Sequence, residues 1–150
     1  MMTFRLPTIA AVNGHAFAGG CMLASMHDYV VMGTDKGFIC MNEIDIDFPL
    51  DFGTFEFMRT RLNSPKNVHL CLVEGKRFTA SEAVRAGLVD IAVPNSQVFK
   101  VARELGNLKS KLTIKNAGRT YGLMKAEKNR RAVEAMLDLR MKPGEYLAKL

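Results

Sequence analysis

The sequence predicts an α/β fold with largely parallel strands, followed from about residue 96 by a helical and more basic region. Three observations carry this. Short apolar runs alternate with helix-forming segments, turn residues separate them, and a helical repeat of apolar positions takes over in the last third. The chain divides accordingly into residues 1–95 and residues 96–150.

Thr8 to Val12 is an apolar run bounded by Pro7 and by Asn13-Gly14, which suits a strand buried on both faces. Beyond Gly19-Gly20 the residues Cys21, Met22, Leu23, Ala24 and Met26 favour a buried helix that starts at the glycines. Tyr29 to Met32 reads as the next strand, Gly33 to Gly37 as its turn, and Phe38 to Cys40 as a further short strand. A helix is expected over Phe52 to Leu62, with Phe55, Met58 and Leu62 on one face. Another is capped by Ser64, has Pro65 in its first turn and ends at Gly75.

Thr79 and Glu82 stand at capping-box spacing and Gly87 supplies a stop, so Ala80 to Ala86 is a short helix. Leu88 to Val93 then returns as a strand ending at Pro94. Ala132, Ala135, Met136 and Leu139 share one face of a later helix, and Pro143-Gly144 releases a short tail.

The bulk numbers bound the function. A length of 150 residues with 48% hydrophobic content can bury one real core. The 21 Lys and Arg against 15 Asp and Glu give a net charge of +6, which favours anionic partners without choosing among them. Cys21, Cys40 and Cys71 lie apart in apolar surroundings, which points to a reducing compartment, and dispersed His15, His27 and His69 give no metal-ligand spacing. No metal is expected. Residues 6–26 contain no Asp, Glu, Lys or Arg, yet Pro7, Asn13, His15 and three glycines would leave broken polar backbone in lipid, so no membrane span is expected. Cations in the last third are interleaved with acids and lack aromatic stacking residues, which reads as a solvated helical face and not a nucleic-acid surface.

Two places can carry chemistry. The first is Asn13 to Cys21, where glycines join a strand to a helix whose unpaired amides can hold a developing negative charge. The same glycines could serve tight packing alone. The second is Glu43, flanked by Phe38, Ile39, Cys40, Met41, Ile44 and Ile46, because desolvation raises a carboxyl pKa and makes the group a better proton shuttle. A surface Glu at a loop edge is the plain alternative. Asp45 and Asp47 alternate with Ile44 and Ile46 as in a half-exposed strand with solvated carboxylates. At the far end, Ala148-Lys149-Leu150 is a variant of the Ser-Lys-Leu peroxisomal address read by an import receptor.

Taken in order and spacing, Pro7-Thr-Ile-Ala-Ala-Val-Asn-Gly-His-Ala-Phe-Ala-Gly-Gly-Cys21, Asp28-Tyr29, Phe38, Asn42-Glu43-Ile44, Gly75-Lys-Arg-Phe-Thr-Ala-Ser-Glu-Ala83 and Ala86-Gly-Leu-Val89 resemble the crotonase family of enoyl-CoA hydratases and isomerases. The resemblance covers roughly residues 6 to 95, and the plant-like peroxisomal enoyl-CoA isomerases look closest. It implies a crotonase-like spiral of ββα units, of which the N-terminal half is missing, followed by a C-terminal helical region that assembles trimers or hexamers.

The resemblance also implies roles. An acyl-CoA thioester is the substrate, no cofactor takes part, Gly19 supplies one backbone oxyanion amide, and Glu43 is the catalytic carboxylate. Hydratases of the family use a second glutamate on the helix after the glycines, where this chain has Met22. One carboxylate suits an isomerase, which moves a proton along the acyl chain, while enoyl-CoA hydratase stays as an alternative. Met22, Phe38 and Phe52 are assigned to the acyl pocket. A non-catalytic subunit or remnant that assembles with full-length homologues is the other alternative. Asp47 stands where the family usually has glycine, Asp51 where it often has proline, and His27 before Asp28 is atypical. The other oxyanion amide belongs to the missing half, and losing one donor costs about 100- to 1000-fold in rate.

Overall fold

The computed structural model describes residues 1–138. Leu139, the Pro143-Gly144 break and the Ala148-Lys149-Leu150 end lie outside the described residues. Strand β1 (Ile9–Val12) is followed by β2 (Ala16–Phe17) and helix α1 (Gly19–Ser25). Strands β3 (Tyr29–Gly33) and β4 (Ile39–Cys40) repeat that pair. Helices α2 (Phe52–Arg59), α3 (Pro65–Leu72) and α4 (Ala80–Ala86) lead to β5 (Ile91–Val93). Two helices complete the described chain, α5 (Val98–Ser110) and α6 (Arg119–Leu137).

All strand pairing within the two sheets is parallel. One sheet has the order β1-β3-β5, and a second is the short pair β2-β4. Two ββ units thus lie side by side, each placing a strand in each sheet. The α/β class with parallel pairing is the one the sequence predicts. Between the sheets and helices sits a core that includes Val30, Met32, Ile39, Met41, Phe57, Met58, Cys71 and Leu88, each almost wholly removed from water. Burying a side chain the size of Phe57 or Met58 contributes about 1.5–3 kcal/mol.

Several boundaries move for local reasons. The helix expected to reach Leu62 stops at Arg59, where the Thr60 N–H and hydroxyl both turn back to the Phe57 carbonyl, and Leu62 is buried beyond its end. The strand expected from Leu88 begins only at Ile91, because the Leu88 and Val89 amides are taken by the Ala83 carbonyl closing α4. Strand β1 is not buried on both faces: Ala10 and Val12 point inward, while Ile9 and Ala11 keep partial exposure. Ile44 to Asp47 is no strand. Glu43–Ile46 forms a single 3₁₀ turn, in which Asp45 N–H donates to Asn42 O and Phe48 N–H to Glu43 O.

Both departures from the family pattern in this stretch acquire a local role. Asp47 adopts the left-handed conformation, φ 52°, that glycine would adopt more easily. Asp51 caps α2, its Oδ1 accepting from the Thr54 N–H at 2.6 Å.

Thr79 and Glu82 form the expected capping box on α4. The Thr79 N–H, the Lys76 ammonium and the Thr79 hydroxyl, in that order, pull the Glu82 carboxyl down to about 2. A carboxyl held below its unfolded value stabilises the fold above that value and loses the contribution as pH falls toward the folded one. The stabilising effect of Glu82 over a Glu82→Gln variant should therefore be present at neutral pH and fade between about pH 4.5 and 2, as read by urea unfolding at each pH. Thr79→Ala should cost about 1 kcal/mol at pH 7.

Candidate active site

Parallel pairing decides where the chemistry can gather. Strands β2 and β4 run side by side with Phe17 opposite Cys40, and the Ala18 N–H donates to the Cys40 carbonyl at 2.9 Å. Their C-terminal ends therefore point the same way. From one end the chain enters α1 at Gly19, and from the other it passes Met41 and Asn42 to Glu43. The loop edges beyond the carboxyl ends of parallel strands are where α/β proteins place ligands.

At the first of these ends, Ala18 holds φ 49° and ψ −119°, a conformation that costs about 1–3 kcal/mol and that an overdetermined site can sustain. No side chain caps α1. Gly19 and Gly20 are exposed, and a Cβ added to either would meet nothing within 4 Å. The tight-packing reading of these two glycines is thus set aside, since they border open space and leave the first amides of α1 approachable.

At the second end, Glu43 is 7% exposed, and its Oε2 is buried without a hydrogen-bond partner. Burial pushes its carboxyl above the ordinary value, offset in part by its own backbone N–H. Burial is also the main reason the Cys40 thiol stands at about 11, the Cys71 thiol at about 12 and the Cys21 thiol well above its usual range. The Glu43 charge adds to each.

The apolar wall around Glu43 differs from the one expected. Ile39, Cys40 and Met41 are fully buried beside it, but Ile44 and Ile46 are 60% and 67% exposed because the 3₁₀ turn directs them to solvent. Gly75, expected to end α3, instead seats this turn, while α3 stops at Leu72 with Val73 as its cap. Gly75 has φ +64°, and a Cβ there would lie 2.8 Å from Ile44 Cγ2. Gly75→Ala should cost about 1–2 kcal/mol through the left-handed backbone alone, measured by chemical unfolding. It should also displace the segment that carries Glu43.

The remaining assigned residues are placed as follows. Met22 is half-buried on α1 against the core. Phe38 stacks on His15 at 5.9 Å, and its N–H donates to His15 Nδ1. Phe52 is 52% exposed and lines a depression of about 620 Å³ with Arg131 and Leu137 of α6. His27 Nδ1 lies 2.8 Å from the Leu23 carbonyl. Its neighbour Asp28 accepts from Thr8 N–H, the Thr8 hydroxyl and the Lys125 ammonium, the last at 2.7 Å. No helix among the described residues is long and apolar enough to cross a membrane, and no group of three His, Cys, Asp or Glu gathers there to hold a metal.

Fold and site together define a protein of repeated ββα units with a buried carboxylate beside an uncapped helix start. The enoyl-CoA hydratase/isomerase family profile matches residues 1–141, and the chain belongs to that family. It is 36% identical over 107 residues to the peroxisomal enoyl-CoA delta isomerase 1 of Arabidopsis thaliana, covering 71% of this chain and 45% of the relative. To the peroxisomal enoyl-CoA delta isomerase 2 of the same plant it is 35% identical over 122 residues, 81% of this chain and 50% of the relative. The fold is that of the human mitochondrial delta3-delta2-enoyl-CoA isomerase, at TM-score 0.81 and 24% identity over 93% of this chain and 52% of that one. The chain spans about half the length of the relatives it matches.

Proposed function

We propose that this chain carries the carboxylate half of an enoyl-CoA isomerase site, which converts 3-enoyl-CoA to trans-2-enoyl-CoA in fatty acid β-oxidation. One observation carries the reading: Glu43 is buried, with its Oε2 free of any hydrogen bond, at the strand ends that also open α1, while the position of a second glutamate holds Met22.

The chemistry follows from those groups. Glu43 takes a proton from C2 of the acyl chain; the freed pair forms a C1–C2 double bond and the carbonyl pair moves onto the thioester oxygen, giving a dienolate that keeps its C3–C4 double bond. The Gly19 N–H holds that oxygen, together with a second donor from the part of the relatives that this chain does not span. Protonated Glu43 then returns the proton at C4, so the double bond shifts from C3–C4 to C2–C3 and Glu43 ends ionised. A raised pKa suits both steps, because a weakly acidic carboxyl is a stronger base before and a ready donor after. Met22 places a thioether where a water-activating acid would stand and keeps that side dry. Phe38 and Phe52 complete the acyl pocket, acyl-CoA is the substrate and no cofactor takes part.

Peroxisomal residence is part of the proposal. It is supported by the names of the two plant relatives. A complete protein would assemble as a homo-oligomer. The half-length match favours one second reading, a non-catalytic subunit joined to full-length homologues.

The test joins this chain to the half of the Arabidopsis isomerase 1 that it does not match and supplies 3-enoyl-CoA. Conversion to trans-2-enoyl-CoA without early 3-hydroxyacyl-CoA is expected. Early hydroxyacyl product would establish hydration instead, and a folded assembly with no turnover would establish the non-catalytic reading.

A further inference from the structure

The segment 75–78 lies against the site yet supplies no group to the proton chemistry. Its backbone is fixed, because the Ile39 N–H donates to the Phe78 carbonyl and the Phe78 N–H to the Ile39 carbonyl, each at 3.0 Å. The neighbouring Phe38 and Cys40 carbonyls accept instead from the Ala16 and Ala18 amides. Alternate residues of β4 thus bond to opposite sides, and Phe78 and β2 flank it. From the Phe78 side, Arg77 reaches across β4. Its guanidinium carbon lies 5.7 Å from the centre of the Phe17 ring on β2, within the range of a cation–π contact. Its Nη2 lies 3.2 Å from Asp45 Oδ2, in the turn that carries Glu43. The same Asp45 oxygen accepts from Nδ2 of Asn42, the residue before Glu43, at 3.5 Å. One side chain therefore touches both arms of the site: Phe17 leads through Ala18 to the Gly19 amide, and Asp45 follows Glu43 by two residues.

We propose that Arg77 is a positioning residue of this site, a strap that fixes the Gly19 amide relative to the Glu43 carboxylate. Folding stability gives no reason for the arrangement, since the Arg77 and Asp45 side chains are 58% and 47% exposed and an exposed pair adds little. Geometry does give one. Rates respond to placement far more steeply than stability does, and a displacement of about 1 Å can cost roughly 100-fold. Ala18, between Phe17 and Gly19, also keeps a strained conformation that its surroundings must hold, and the cation over the preceding ring is one such hold. The residue type fits the task. A guanidinium is a planar fork that meets a carboxylate with its edge while its face lies on a ring, and an ammonium has no such face. The part Arg77 plays in turnover rests on the isomerase reading, whereas the strap itself is a property of the fold.

Two measurements keep these apart. In the 150-residue chain, amide exchange is followed residue by residue by NMR, with urea unfolding alongside. Arg77→Gln should speed exchange roughly tenfold at the Ala18 N–H, bonded to the Cys40 carbonyl, and at the Phe48 N–H, bonded to the Glu43 carbonyl. The Ala83 N–H inside α4 should keep its rate, and the urea midpoint should move by less than roughly 0.5 M. In the protein joined to the unmatched half of the Arabidopsis isomerase 1, Arg77→Gln should lower kcat about tenfold or more while KM stays within about twofold. Arg77→Lys keeps the charge beside Asp45 and should recover part of kcat. Unchanged exchange at Ala18 and Phe48 would overturn the strap. So would equal speeding at Ala83 with a large fall in the urea midpoint, the mark of a merely structural residue. Local loosening with kcat unchanged would overturn the positioning role. A joined protein that is inactive before any substitution would count against the isomerase reading, and exchange would still decide the strap.

Discussion

Glu43→Gln in the two-half assembly is expected to reduce isomerisation by about 100- to 10,000-fold, the usual contribution of a positioned acid–base group. The same change should stabilise the fold at neutral pH. Burial raises the Glu43 carboxyl above its ordinary value, so the folded chain holds that proton more tightly than the unfolded chain does. Native stability then falls as pH climbs from the ordinary value through the folded one, and the charged form above it is the costly one. Glutamine keeps the shape and carries no charge, so the variant should be the more stable at pH 7 and should lose that advantage in acid. Urea unfolding at pH 7 and below pH 4, beside product analysis, checks both halves. Full activity in the variant would remove Glu43 from the proton path; reduced stability at pH 7 would mean that Oε2 has a partner in solution.

The largest stability effect should come from Lys125. Its ammonium is almost wholly buried on α6 and meets Asp28 Oδ2 at 2.7 Å, tying the long helix to the start of β3. Removing one member of a buried pair leaves the other charge without compensation and costs 3–5 kcal/mol as a rule, roughly a third or more of a typical domain's stability. Lys125→Ala should lie near the low end, about 3 kcal/mol, because Asp28 keeps the Thr8 N–H and hydroxyl. Lys125→Met with Asp28→Asn should recover most of the loss, since both charges leave together. A loss under about 1 kcal/mol in the single variant would show the pair to be screened by water.

What could be read in advance was local. Thr79, Glu82 and Gly87 specify α4 within nine positions, and Ser64 with Pro65 does the same for the start of α3, because capping geometry depends on nearest neighbours. The Asn13 to Cys21 block likewise marks a turn and a helix start, but not the two-residue strand β2 inside it. The 3₁₀ turn at Glu43 is hidden in the sequence because Ile44 and Ile46 alternate with aspartates, and alternation is the signal of a strand only where one face is buried. Here neither isoleucine is. Asp51 departs from the family pattern near the pocket, yet its three-residue spacing to Thr54 is also that of an N-cap. The Asp28–Lys125 pair spans 97 positions and leaves no local pattern. Neither Ala18 with its positive φ nor the approach of Gly75 to Ile44 has a local signature, since each is imposed by segments packed from elsewhere.

Cys21, Cys40 and Cys71 are sealed from water, and their thiols are held toward the protonated form. Only the thiolate reacts with alkylating reagents, so none of the three should be modified while the surrounding helices and strands stay closed. The rate at which iodoacetamide labels them then becomes a clock for transient opening of the interior around Glu43. It needs no engineered label, since the three thiols are the chain's own.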